Sequence, residues 1–97
     1  MRKYEIMFIV KPDIEEAKIK ETADSMKTLL ESMGASILEF KEMGVKELAY
    51  EVKKYKNGYY FYFLVESADG NATIEFDRVA LINENIIRHL VVRTDER

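Results

Sequence analysis

Tyr59-Tyr60-Phe61-Tyr62-Phe63-Leu64-Val65 is a run of seven residues that opens with five aromatic side chains in succession. Rings and branched aliphatics fit a pleated surface, and the run is far too short to span a bilayer, so it reads as a strand. Successive strand side chains point to opposite faces. Tyr59, Phe61, Phe63 and Val65 therefore share one face, and Tyr60, Tyr62 and Leu64 share the other. Both faces are apolar.

Working back from this run, Lys53-Lys54-Tyr55-Lys56-Asn57-Gly58 reads as a hairpin loop in which Asn57-Gly58 supplies residues that tolerate positive φ. Residues 35–52 before it return to a strand pattern, with Gly44 as a bulge or bend and Leu48, Tyr50 and Val52 on one face. At the start of the chain, residues 2–10 alternate: Tyr4, Ile6, Phe8 and Val10 lie on one face, Lys3, Glu5, Met7 and Ile9 on the other. Lys11-Pro12-Asp13 ends that strand, and Asp13 with Glu16 has the spacing of a capping box. Ile19, Ala23, Met26, Leu30 and Met33 then form the apolar stripe of a helix, closed by Gly34 in the left-handed position. Beyond the aromatic run, residues 67–71 are a polar connection containing Gly70, and Phe76, Val79 and Ala80 mark the inner face of a second helix. Asn83-Glu84-Asn85 breaks it, residues 86–93 form a last strand, and residues 94–97 read as a frayed tail. The order βαββαβ belongs to the α+β class: a ferredoxin-like sandwich with a four-stranded antiparallel sheet and two helices on one face.

The chain has 97 residues, no cysteine, one proline and a net charge of −3. That length is expected to make a single domain over residues 1–97. Disulfide frameworks and thiolate metal sites are excluded, and charges at Arg2, Lys3 and Glu5 replace a cleavable apolar leader, so a soluble, cytoplasmic protein with no membrane partner is expected. Catalysis has little to stand on. His89 is the one histidine and reads as structural, and Ser25, Ser32, Ser36 and Ser67 carry no nucleophile signature. One imidazole with scattered carboxylates makes no metal site, and isolated glycines cradle no phosphate. The pairs Glu15-Glu16 and Asp95-Glu96 read as a helix N-terminus and a solvated tail. The expectation is a non-enzyme with no cofactor and no small-molecule substrate; an acylphosphatase-like reaction needs an anion-cradling loop where this chain has Lys11-Pro12-Asp13.

The sheet face without helices is more informative. Met7 and Ile9, Tyr60, Tyr62 and Leu64, and Leu90 and Val92 would all project from it. An apolar patch of this kind reads as a protein docking site, since monomers seldom expose one larger than a few hundred Å². Two other readings exist: tyrosines that merely present hydroxyls to water, and base stacking, although the Lys/Arg-Gly-Phe/Tyr-Gly/Ala-Phe signature of RNA-binding sheets is missing. Charge is also partitioned. Residues 12–40 and 57–85 are each net −4, whereas residues 1–11, 41–56 and 86–97 are net +2, +2 and +1. Positive charge thus follows the strands and the hairpin, which fits a one-sided phosphate footprint; for Lys53, Lys54 and Lys56 a solvated loop is an equally good account.

Met1-Arg2-Lys3-Tyr4-Glu5-Ile6-Met7 with Pro12, Gly44-Val45-Lys46-Glu47-Leu48-Ala49-Tyr50, Gly58-Tyr59 and Ile87-Arg88-His89-Leu90-Val91-Val92-Arg93 together closely resemble the bacterial small-subunit ribosomal protein six family, over nearly the whole chain. The resemblance implies a structural protein of the ribosome that pairs with small-subunit ribosomal protein eighteen and binds the central domain of 16S ribosomal RNA during assembly. Position by position it implies RNA contacts at Arg2, Tyr4, Lys46, Arg88 and Arg93, to which the charge pattern adds Lys53, Lys54 and Lys56. Glu47 stands where the family usually has a basic residue. The partner would use Met7, Ile9, Tyr60, Tyr62, Leu64, Leu90 and Val92, and the isolated chain is expected to be a monomer that binds RNA weakly because of its net acidity. A ligand-sensing or dimerising regulatory domain of the same topology is the alternative.

Overall fold

A computed structural model describes residues 2–94. Its elements are β1 (Arg2–Val10), α1 (Glu16–Ser32), β2 (Ser36–Val52), β3 (Tyr55–Ser67), α2 (Asn71–Ile82) and β4 (Ile86–Arg93). The strands form one antiparallel sheet in the order β2-β3-β1-β4, with both helices on one face, the ferredoxin-like arrangement. Thr94 still donates its backbone N–H to Lys3, so the chain stays tied to the sheet through that residue; Asp95, Glu96 and Arg97 of the expected tail lie outside the described residues.

Alternation in β1 and β3 sets the core. Tyr4, Ile6, Phe8 and Val10 pair in register with Val65, Phe63, Phe61 and Tyr59, and this face meets Ile19, Ala23, Met26 and Leu30 of α1 and Ala72, Phe76 and Ala80 of α2. The Phe8 ring lies 5.2 Å from Phe61, 5.6 Å from Phe63 and 5.9 Å from Phe76, so one side chain links the two central strands to α2. Offset and tilted rings at these separations add to the burial of their area. His89 lies on the same face of β4, its ring edge against Phe76 and Nε2 2.5 Å from Oδ1 of Asp77, where it ties β4 to α2.

Three local expectations need correction. The turn between β2 and β3 is Lys53-Lys54, both at positive φ (49° and 72°), and Asn57 and Gly58 lie inside β3 opposite Glu47 and Lys46. A two-residue hairpin loop of type I′ needs positive φ at both central positions, and here lysines supply it. The Asp13–Glu16 capping box is absent: Glu15 is the N-cap with no side-chain bond, and the Asp13 carboxylate accepts the Tyr55 hydroxyl at 3.1 Å instead. Met33 ends α1 with its side chain exposed, since the last turn closes through Ala35 N–H to the Leu30 carbonyl and Gly34 takes φ 87°.

β2 departs furthest from regularity. Its register with β3 slips between Ile37 and Glu39, between Glu42 and Gly44, and between Glu47 and Val52. Gly44, at φ 80°, is the expected bulge. At the last slip the four residues 48–51 stand opposite Lys56 alone, and this surplus brings Leu48, Ala49 and Tyr50 against the open face of the sheet.

Candidate functional site

The open face carries, in register, Met7 beside Tyr62 and Leu90, Ile9 beside Tyr60 and Arg88, and Glu5 beside Leu64 and Val92. Six of the seven expected partner residues (Met7, Tyr60, Tyr62, Leu64, Leu90 and Val92) are at least partly accessible there. Ile9 differs: it is 7% exposed, because its Cγ2 lies over Gly58, with Ile87 alongside, and the raised segment of β2 shares its groove. It is floor, not contact surface. The groove has a volume of about 250 Å³, with Met7, Ile9, Tyr60 and Leu90 below and Leu48, Tyr50 and Val52 above.

Cations line this aromatic surface. Lys41 sits over the Tyr62 ring, Lys46 over Tyr60 and Arg88 over Tyr50, each 5.8 Å from the centroid, within cation–π reach. Lys41 also pairs with Glu39 at 2.9 Å, and Tyr62 donates to Oε2 of Glu5 at 2.9 Å. Burial, and then that carboxylate, push the Tyr62 hydroxyl up to about 12. The Arg88 guanidinium, through its hydrogen bond, holds the Tyr50 hydroxyl below the usual tyrosine range. Because Tyr62 stays neutral longer in the folded chain than in the unfolded one, the stability it lends is fully present below pH about 10 and is lost between pH about 10 and 12. Urea midpoints measured across that window should fall less steeply for Tyr62→Phe than for the wild type; equal slopes would remove the Tyr62–Glu5 contact from the account.

The RNA candidates from the sequence form two groups. Lys46, Lys53, Lys54, Lys56 and Arg88 gather around the β2–β3 hairpin end of the sheet. Arg2 and Arg93 lie at the other end, near Gly70 and opposite Tyr4 respectively, seven and five residues along β1 from the Arg88 position, about 24 and 17 Å at strand rise. Tyr4 is 6% exposed and part of the core, so its ring is unavailable as a stacking platform. Sequence reasoning did not single out Lys41, nor the role of Tyr50. The bulge at Gly44 hid the first, since Lys41 and Lys46 are five residues apart and regular alternation would place them on opposite faces. Two exposed lysines held at positive φ are a strained choice, at about 1–2 kcal/mol per residue, and strain of this sort collects at functional sites.

A helix-backed antiparallel sheet with an open aromatic face rimmed by cations defines a ferredoxin-like binding module, and no metal-binding cluster occurs among the described residues. The profile of the family described as Ribosomal protein S6 matches residues 3–93. The small ribosomal subunit protein bS6 of Halalkalibacterium halodurans is 45% identical over 96 residues, covering 99% of this chain and all of that one. The crystal structure of 30S ribosomal protein S6 from Thermotoga maritima superposes with a TM-score of 0.91 at 29% identity, over 96% of this chain and 87% of that one. An Arabidopsis thaliana protein, 16% identical with a TM-score of 0.52 over 100% of this chain and 96% of its own, shares the fold alone. The chain belongs to the ribosomal protein S6 family, structural and non-enzymatic components of the small ribosomal subunit. No helix among the described residues is long and apolar enough to cross a membrane.

Proposed function

We propose that the chain binds the central domain of 16S ribosomal RNA in the cytoplasmic ribosome together with small-subunit ribosomal protein eighteen, with no chemistry of its own. The observation that carries this reading is the hairpin tip. Lys53 and Lys54 hold an unfavourable backbone conformation where Asn-Gly would be relaxed, and the cost is intelligible if their charges meet phosphate. Lys46, Lys56 and Arg88 extend the same footprint, and Arg2 with Arg93 form a second contact point at the far end of the sheet. The apolar groove and the tyrosines beside it take the protein partner, because large aromatic surfaces with methionine make good anchors. The chain is net acidic, at −3, so alone it is a monomer with weak RNA affinity, and a basic companion completes the site.

Replacing Lys53-Lys54 by Asn-Gly tests this with opposite signs in two measurements. Folding stability should rise by about 1 kcal/mol as the strain is relieved. RNA affinity of the heterodimer should fall, and the slope of log K against log salt, expected at roughly −3 to −4 for about four neutralised phosphates, should become shallower by about one to two units. A stabilised variant with unchanged affinity and slope would take the hairpin tip out of the RNA contact.

A further inference from the structure

We infer that Tyr50 is a positioning residue that couples the two halves of the binding face: by holding Arg88 across the roof of the groove, it makes partner docking and phosphate contact one cooperative event. This rests on the binding function proposed above. β2 and β4 are opposite edges of the sheet, separated by three strand spacings, about 14 Å. A regular β2 would run along its own edge and never reach β4. The surplus residues 48–51 change that, because they lift the chain over the open face and bring Tyr50 to Arg88. Arg88 Nη1 donates to the Tyr50 hydroxyl at 3.4 Å, and the guanidinium lies 5.8 Å from the ring centroid.

Packing does not explain this contact. Tyr50 is 66% exposed and Arg88 is exposed as well, so neither is fixed by burial in the core. The other two cation–ring contacts, Lys41 on Tyr62 and Lys46 on Tyr60, join the neighbouring strands β2 and β3; the Arg88–Tyr50 contact joins one edge of the sheet to the other. It also closes the groove from above, with Leu48 and Val52 beside it and Met7, Ile9, Tyr60 and Leu90 beneath. An apolar side chain of the partner entering under this roof packs against Tyr50 and restrains it. The guanidinium stacked on that ring is restrained with it, so less arginine freedom remains to be lost when a phosphate binds. Linkage makes the effect reciprocal: RNA held by Arg88 favours the closed roof and hence the partner.

The test is a double-mutant cycle on the full chain with protein eighteen and a 16S central-domain fragment, in which heterodimer affinity without RNA, RNA affinity of the heterodimer and its salt slope are measured for wild type, Tyr50→Ala, Tyr50→Phe, Arg88→Ala and the Tyr50→Ala/Arg88→Ala double variant. Tyr50→Ala and Arg88→Ala should each weaken RNA binding by about tenfold and each make the slope shallower by about one unit. The double variant should lose no more than either single one, and Tyr50→Phe, which keeps the ring, should recover most of the affinity and the slope. Multiplicative losses in the double variant, or a Tyr50→Ala slope equal to wild type, would overturn the positioning role. A wild-type heterodimer that fails to bind the fragment would instead overturn the function on which the inference rests.

Discussion

Phe8→Ala should lower the folding stability by about 3–5 kcal/mol, measured as a shift of the urea midpoint at constant m-value. Phe8 is fully buried and its ring touches those of Phe61, Phe63 and Phe76, so truncation removes apolar burial and leaves a cavity walled by both central strands and α2. The sheet cannot collapse into that space, because Phe8 is held in register by Phe61 on one side and His89 on the other. A domain of this size has only about 5–15 kcal/mol to lose. A loss below about 1.5 kcal/mol would mean that the aromatic cluster is not the centre of the core.

Gly58 predicts a loss from the opposite cause. A Cβ at this position would lie 2.2 Å from Ile9 Cγ2 and 3.6 Å from Ile87 Cδ1, so Gly58→Ala forces a buried isoleucine out of its place. Overpacking of this kind costs about 1–3 kcal/mol, and Gly58→Val should cost more. Ile9→Ala removes the obstructing methyl. The Gly58→Ala/Ile9→Ala double variant should therefore be more stable, by at least about 1 kcal/mol, than the sum of the two single losses allows, whereas additivity within about 0.5 kcal/mol would place the strain elsewhere. The contact also has a functional side, since Ile9 can form the floor of the groove only while position 58 has no side chain.

The periodicity of β1, α1, β3, α2 and β4 was readable because each element keeps one repeat over most of its length, the single slip between β1 and β4 falling at the Val10–Ile86 end. Tyr4, Ile6 and Phe8 mark the inner face of β1 without ambiguity, and Ile86–Arg93 reads as a strand with the bounds it has. β2 was legible as a strand but not in its register, since three slips reverse the relation between spacing and face. That is why Lys41 escaped notice, and why Leu48, Tyr50 and Val52, which do lie over the same groove, gave no sign of leaving the sheet. The hairpin failed for a different reason. Asn57-Gly58 is the stronger turn signal by local chemistry, but pairing of Val52 with Tyr55 and the need for a side-chain-free position under Ile9 place Gly58 in the strand and leave the turn to two lysines. Asp13 likewise had the spacing of a cap, and was taken by Tyr55, a residue 42 positions away that no local pattern connects to it.

The net charge of −3 also acquires a location. Each helix carries a net charge of only −1, and much of the remaining acid lies in the connections, at Asp13, Glu15, Asp69 and Glu84, and on β2, whereas Lys53, Lys54, Arg88 and Arg93 put base on the hairpin tip and on β4. On the proposed function, a net acidic chain gains little RNA affinity from these cations alone, and a basic partner seated on the open face would supply the remainder.

The most direct measurement of this account is a titration of the 16S central-domain fragment, at one fixed salt concentration, with this chain, with protein eighteen, and with an equimolar mixture of the two. The account predicts weak binding by either protein alone and binding at least about a hundredfold tighter by the mixture. Tight binding by this chain alone, or a mixture no better than the stronger of its components, would contradict it.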